Sequence, residues 1–163
     1  MPHPIQFDDD DPWLARLRAL ALAYPQAEEV VSHGRPTFRV GKIFCLFGSE
    51  AKLPDGTREP RPAAVVVKVD PAELPALDED PRFFLPRYWA SFGWRGLDLD
   101  AADVDGAEVA ELVDASYRLV APRRALAALD ERGPVSGTVR GPVSGTDRGA
   151  ARAATRCRPG SAG

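Results

Sequence analysis

The chain has 163 residues, 44% hydrophobic and 28% charged, with a formal net charge of −3. These are the values of an ordinary globular protein able to bury a core without staples, and no apolar run approaches the ~20 residues of a membrane-spanning helix. The opening MPHPIQFDDDD has neither the basic start nor the apolar centre of a secretory signal, and Cys45 and Cys157 sit too far apart for a disulfide framework or a CxxC metal site. The expectation is therefore a reduced, cytoplasmic protein outside the membrane.

Asp8 to Asp11 precede Pro12, so Asp11 can cap a helix whose first residue is proline. Trp13, Leu14, Leu17, Leu20, Ala21 and Tyr24 recur at helical spacing, which predicts an amphipathic helix over 12–24, ended by Pro25. Glu28 to Ser32 reads as a short strand. In SHGRPTFRVGKIFCLFG, residues 32–48, Gly41-Lys42 suits a two-residue hairpin turn. That register sets Val40 opposite Ile43 and Phe38 opposite Cys45. Phe38, Val40, Ile43, Cys45 and Phe47 then share the core face, with Arg39 and Lys42 on the other.

Residues 48–62 read as a polar loop with a Pro-Asp-Gly turn. AVVVKV, 64–69, is the clearest strand, and Asp70-Pro71 opens a short helix over 71–78. The aromatic stretch DPRFFLPRYWASFGWRGLDLD ends in a strand over about 91–99. Asp105 and Glu108 form a capping box for a helix that buries Val109, Leu112, Val113, Ser116 and Val120. Pro122 begins a last helix carrying Leu126 and Leu129. Beyond it GPVSGT occurs twice, at 133–138 and 141–146, in a stretch of Ala, Arg, Gly and Ser with no structural period. This predicts three regions: an acidic lead over 1–11, a folded domain over 12–131 and a disordered low-complexity tail over 132–163. Hairpin connections imply antiparallel pairing. The fold class expected is α+β, an antiparallel sheet of about five strands covered by N- and C-terminal helices.

The net charge conceals an uneven distribution. From Arg132 onward six arginines face one acid, Asp147, while the other residues hold 15 basic and 23 acidic groups. Residues 33–68 reverse the sign locally: Arg35, Arg39, Lys42, Lys52, Arg58, Arg61 and Lys68 stand against Glu50, Asp55 and Glu59. A local excess of this kind governs attraction to an anionic partner more than net charge does.

The chemistry-bearing residues point to binding rather than catalysis. His33 and Cys45 could form a nucleophile pair, but the register buries Cys45 as a small inert hydrophobe. His3 lies in an expected frayed terminus, so a histidine metal site is not expected. The carboxylate pairs, Asp78/Asp80, Asp98/Asp100 and Asp103/Asp105, have the spacing of caps and turns. Phe83, Phe84, Tyr88, Trp89, Phe92 and Trp94 can form core or stack on bases, with Arg82, Arg87 and Arg95 interleaved. No cofactor motif occurs.

SHGRPTFRVGKIF, VVVKVD, DPRFFLPRYWASFGWRGLDLD and ELVDASYRLVAP resemble, in order and spacing, the MmcQ/YjbR family over about 12–130. The resemblance implies a compact α+β domain similar to the CyaY/frataxin fold, described as DNA-binding on account of wing-like hairpins, with no catalytic residues to carry over. Arg39 and Lys42 match the family's FRVxxK pattern, although the turn here is one residue shorter. The expected function is non-enzymatic DNA binding, with Arg35, Arg39, Lys42, Arg58, Arg61 and Lys68 on phosphates, by a monomer. Neutralising four to six phosphates implies weak binding with a log–log salt slope of about −4 to −5. A protein-interaction module using acidic helices or a sheet edge is the alternative, and a His33-dependent enzyme the third reading.

Overall fold

The computed structural model describes residues 3–133. In chain order the elements are α1 (Pro12–Ala21), β1 (Glu28–Ser32), β2 (Arg35–Val40), β3 (Lys42–Lys52), β4 (Arg58–Lys68), α2 (Leu74–Glu79), β5 (Phe83–Phe84), β6 (Trp94–Asp98), α3 (Gly106–Val120) and α4 (Arg123–Arg132). The strands form one antiparallel sheet in the order β1-β2-β3-β4-β6-β5. The expected α+β class holds, with six strands instead of about five. Apart from Arg132 and Gly133, the tail expected over 132–163 lies outside the described residues.

The main core lies between one face of the sheet and the helices. Leu14, Leu17 and Leu20 of α1, Val113 and Tyr117 of α3 and Leu129 of α4 pack with Phe38, Phe44, Cys45, Phe47, Val65 and Val67. Each fully buried aliphatic or aromatic side chain here contributes about 1.5–3 kcal/mol. α1 starts as its sequence predicts: the Asp11 carboxylate accepts from Trp13 N at 2.7 Å, and Pro12 stands at the first position. The helix stops at Ala21, short of Tyr24, which nevertheless packs in the core beside Phe44 and Tyr117. At α3 the box expected from Asp105 and Glu108 is half formed. Asp105 accepts from Ala107 N, but the Glu108 carboxylate turns away from the cap to accept two hydrogen bonds from Arg82.

The hairpin at Gly41 departs from the expected register. A single residue, Gly41 (φ +77°), connects β2 to β3, so Val40 pairs with Lys42 and Arg39 with Ile43. Phe38 still pairs with Cys45, because the ladder shifts there and leaves Phe44 without a partner in β2. The bulge restores the register that the short turn offset by one. Its consequence is local: Phe44 joins the helix-side core, while Ile43 packs in a second cluster. Lys42, paired with Val40, lies on the face opposite Arg39, against expectation.

The polar loop expected over 48–62 is a hairpin arm. β3 runs to Lys52 and β4 begins at Arg58, leaving a turn in which the Asp55 carboxylate accepts from Thr57 N at 2.8 Å. Polar residues along Arg58–Arg61 left no apolar alternation to read there. The strand expected over about 91–99 is β6, preceded by a 3₁₀ turn at Ala90–Phe92. Beside β6, Phe84 covers Gly96 so closely that an added Cβ would lie 2.2 Å from the ring.

Candidate ligand groove on the uncovered sheet face

Among the described residues, the opposite sheet face carries no helix. Its apolar floor is a small cluster of Leu46, Val66 and Trp94, with Ile43, Phe84 and Trp89 partly buried against it. Successive strand residues alternate in direction, so Val65 and Val67 serve the helices while Val66 serves this face. A groove of about 650 Å³ opens over Ile43, Leu46 and Trp89. Ile43 lines it only because of the bulge at Phe44.

One wall is the β1–β2 turn. His33 and Gly34 both have positive φ (52° and 78°), the signature of a two-residue turn whose twist suits a hairpin. Residues of the N-terminal lead lie against it. Gln6 N donates to Gly34 O at 2.9 Å, and His3 Nε2 lies 3.0 Å from His33 Nδ1. An added Cβ at Gly34 would fall 2.0 Å from Pro4 O, so only glycine admits the lead here. His3, expected to fray, thus stands in the groove wall.

One carboxylate, Glu50, and two arginines, Arg35 and Arg87, line the groove. Arg87 Nη1 donates to Glu50 Oε2 at 2.7 Å. That hydrogen bond, with the nearby charges of Arg87, Arg58 and Arg35, holds the Glu50 carboxyl below its ordinary value. Arg35 is half-buried; among the described residues its guanidinium donates to Gln6 Oε1 at 3.0 Å and makes no ion pair. Burial lowers its pKa from the ordinary value, partly offset by Glu50, yet an arginine so placed keeps its charge. The opposite rim is Tyr88, 72% exposed and held at φ 67° with the Arg87 guanidinium 4.3 Å from its ring. Arg87 and Tyr88 also line a second, smaller depression with Lys52 and Arg58. The two depressions share Arg87 and Tyr88, and the lining of the pair, taken together as a track, reaches from His33 to the hairpin arm.

Of the six residues expected on phosphates, the track brings together Arg35 and Arg58. Arg39 stays on β2, its Nε donating to Thr37 Oγ1 at 3.2 Å. Lys42 is on the other face. Arg61 is held by Glu59 at 2.8 Å and Asp98 at 3.1 Å. Lys68 lies at the far end of β4, paired with Trp94. Among the interleaved arginines, Arg82 is bound by Asp80 and Glu108 and Arg95 by Asp78. Of the aromatics, Trp94 is buried, whereas Tyr88 and Phe92 are each 72% exposed. The structure adds Lys52, Gln6 and Glu50 to the residues expected from the sequence. Lys52 was visible only as one of the seven cations, and its position depends on the arm being a hairpin. Cys45 is fully buried, and burial pushes its thiol far above the ordinary range. The His33–Cys45 pair therefore does not form: His33 is at the groove, Cys45 in the helix-side core.

Comparison with known families bears on this architecture directly. The YjbR family model matches residues 22–119. The chain belongs to the YjbR family. The matched region of this YjbR protein spans β1 through nearly all of α3, so it contains the strands that floor the groove. It excludes the lead that supplies His3 and Gln6. No curated protein matches the chain. A crystal structure of a protein from Pseudomonas syringae aligns at 14% identity and a TM-score of 0.49, covering 67% of this chain and 97% of that one. Among the described residues, no helix is long and apolar enough to cross a membrane.

Proposed function

We propose that this YjbR protein is a cytoplasmic, non-enzymatic nucleic-acid-binding protein that holds a strand along the track from Arg35 to Arg58. The observation that supports this reading is the joining of two depressions through Arg87 and Tyr88, with Arg35, Lys52 and Arg58 free of ion pairs among the described residues. Phosphates would meet those cations, and bases would lie against Tyr88 and Trp89, a sequence-tolerant mode suited to single strands. The binding is sequence-independent, because cations and ring faces read no base edges. Neutralising about three phosphates gives a log–log salt slope of about −2 for a single strand.

The test is fluorescence anisotropy of labelled single-stranded and duplex oligonucleotides with the full chain at about 50 and 200 mM salt. The double variant Lys52→Glu/Arg58→Glu is expected to lose at least tenfold in affinity at the lower salt. Undiminished affinity in that folded variant would refute the track. A second reading rests on the sheet edge: β1 ends the sheet with Val30 and Val31 exposed. Such an edge can accept a strand from a protein partner. A proline at an edge position whose N–H points outward would abolish that association and leave nucleic-acid affinity intact.

A further inference from the structure

We propose that the groove end at Arg35 is a site for one phosphorylated nucleotide, seating its phosphate on the Arg35 guanidinium and its base against Trp89. This deepens the nucleic-acid reading, since it shares Arg35 and Trp89 with the track, but it assigns a discrete small-ligand site to one end. The groove's volume, about 650 Å³, lies within the roughly 300–1,000 Å³ of small-molecule sites.

Three observations converge. First, the anion balance is incomplete: Arg35, Arg58 and Arg87 all act on the single carboxylate of Glu50, and only Arg87 is hydrogen-bonded to it. A half-buried guanidinium without an ion pair is a fork awaiting a phosphate or carboxylate, which it can grip through two parallel hydrogen bonds. Second, polar and flat apolar groups line the same groove, with Thr37 and Leu46 facing each other across the β2–β3 pair. Ser32, Thr37 and Ser49 stand in the lining with Arg35, while Ile43, Leu46 and Trp89 present apolar surface. That combination suits a phosphate ester attached to a planar ring better than a bare anion or an apolar molecule. Third, the lead bonds across the β1–β2 turn through Gln6–Gly34 and His3–His33, and so walls this end. A strand running along the track would therefore meet Arg35 with its terminal nucleotide. Tyr88, at the other rim, is a bulky residue kept at positive φ with most of its ring in solvent. Such a conformation costs of the order of 1–3 kcal/mol and tends to gather at binding sites.

Free nucleoside monophosphate and the phosphorylated terminus of a single strand share this chemistry. Titrations of the full chain, read by tryptophan fluorescence and calorimetry, would use a nucleoside 5′-monophosphate, the parent nucleoside and inorganic phosphate. Anisotropy would compare an oligonucleotide bearing a 5′-phosphate, a 3′-phosphate or neither. The expected result is binding of the monophosphate at least tenfold tighter than nucleoside or inorganic phosphate, lost in Arg35→Gln and weakened in Trp89→Leu. If Arg35→Gln fails to fold, Arg35→Lys, which keeps the charge but not the fork, is expected to weaken the monophosphate by severalfold. A terminal phosphate that tightens oligonucleotide binding while free monophosphate competes weakly would make the strand end the source. Monophosphate binding with no oligonucleotide binding would keep the site and refute the track. Oligonucleotides that bind alike with or without a terminal phosphate, together with no monophosphate binding, would overturn the proposal and leave the track standing.

Discussion

Ser116 shows how one side chain settles a problem that the backbone creates. β3 and β4 pair up to Cys45 and Val67. Beyond that pair, the Ser116 hydroxyl donates to Phe44 O and accepts from Lys68 N at 2.9 Å. The helix thus satisfies two strand groups beside the bulge, in a fully buried position. Ser116→Ala leaves both without partners and is expected to cost about 1–3 kcal/mol, measured as a lower urea midpoint with an unchanged m-value. Cys45 offers a second residue-scale check. Its thiol is fully buried, and burial holds it protonated. Iodoacetamide is expected to leave the Cys45 peptide unmodified in the native protein and to label it in denaturant; rapid native labelling would contradict the packing. Ser116 was legible as a helix position on the core face. Its hydrogen bonds were not, because Phe44 O and Lys68 N come near it only through long-range packing.

The element that matters most for the groove is the β2–β3 hairpin. A one-residue turn followed by a bulge sends Ile43 outward, Phe44 inward and Lys42 to the face opposite Arg39. Sequence alternation predicts the pairing of Phe38 with Cys45 correctly, because the two irregularities cancel by that point. Between them the period of two is broken, and no local pattern announces it. The arm beyond Gly48 looks like loop in the sequence for a related reason: its residues Arg58 to Arg61 lie beyond the core and carry no apolar period. Lys42→Glu and Arg58→Glu separate the two accounts. Each removes the same charge, yet oligonucleotide affinity is expected to fall severalfold only for Arg58→Glu. Equal losses would mean that diffuse charge, not the track, governs binding. Gly96→Ala tests the other edge. Its methyl would displace the Phe84 ring, and a loss of about 1–3 kcal/mol is expected by thermal melt.

Across the whole molecule, carboxylates held by arginines tie stability to pH. Hydrogen bonds from Arg87, Arg95 and Arg82 hold the carboxyls of Glu50, Asp78 and Asp80 below their ordinary values. In the unfolded chain these groups regain protons near pH 4. The unfolded state therefore binds more protons as the solution acidifies. The stability they contribute is present above that range and is lost as pH falls through their folded values. Asp98 acts in the opposite sense: burial raises its carboxyl, so acid relieves a cost there. Melting temperature is expected to fall between pH 6 and pH 3, and Asp78→Asn with Glu50→Gln to flatten that fall. Both groups are partly exposed, so each accounts for no more than about 1 kcal/mol. An unchanged acid limb in the double variant would remove these pairs from the account.

The amino-acid sequence by itself determined the α+β class, the Asp11-capped first helix, the strand at Val65–Val67, the burial of Cys45 and the cationic character of 33–68. Each follows from interactions within a few residues: caps, alternation, and side-chain charge. The tertiary structure alone decided which cations stand together. Glu59 and Asp98 claim Arg61, a one-residue turn removes Lys42, and the antiparallel ladder carries Arg58 to Arg87 and Tyr88. Ion pairs and grooves are made by residues distant in the chain, and their partners are selected only when the sheet's register is complete. A local excess of positive charge is written in order along the chain, but its direction in space is a property of the assembled face.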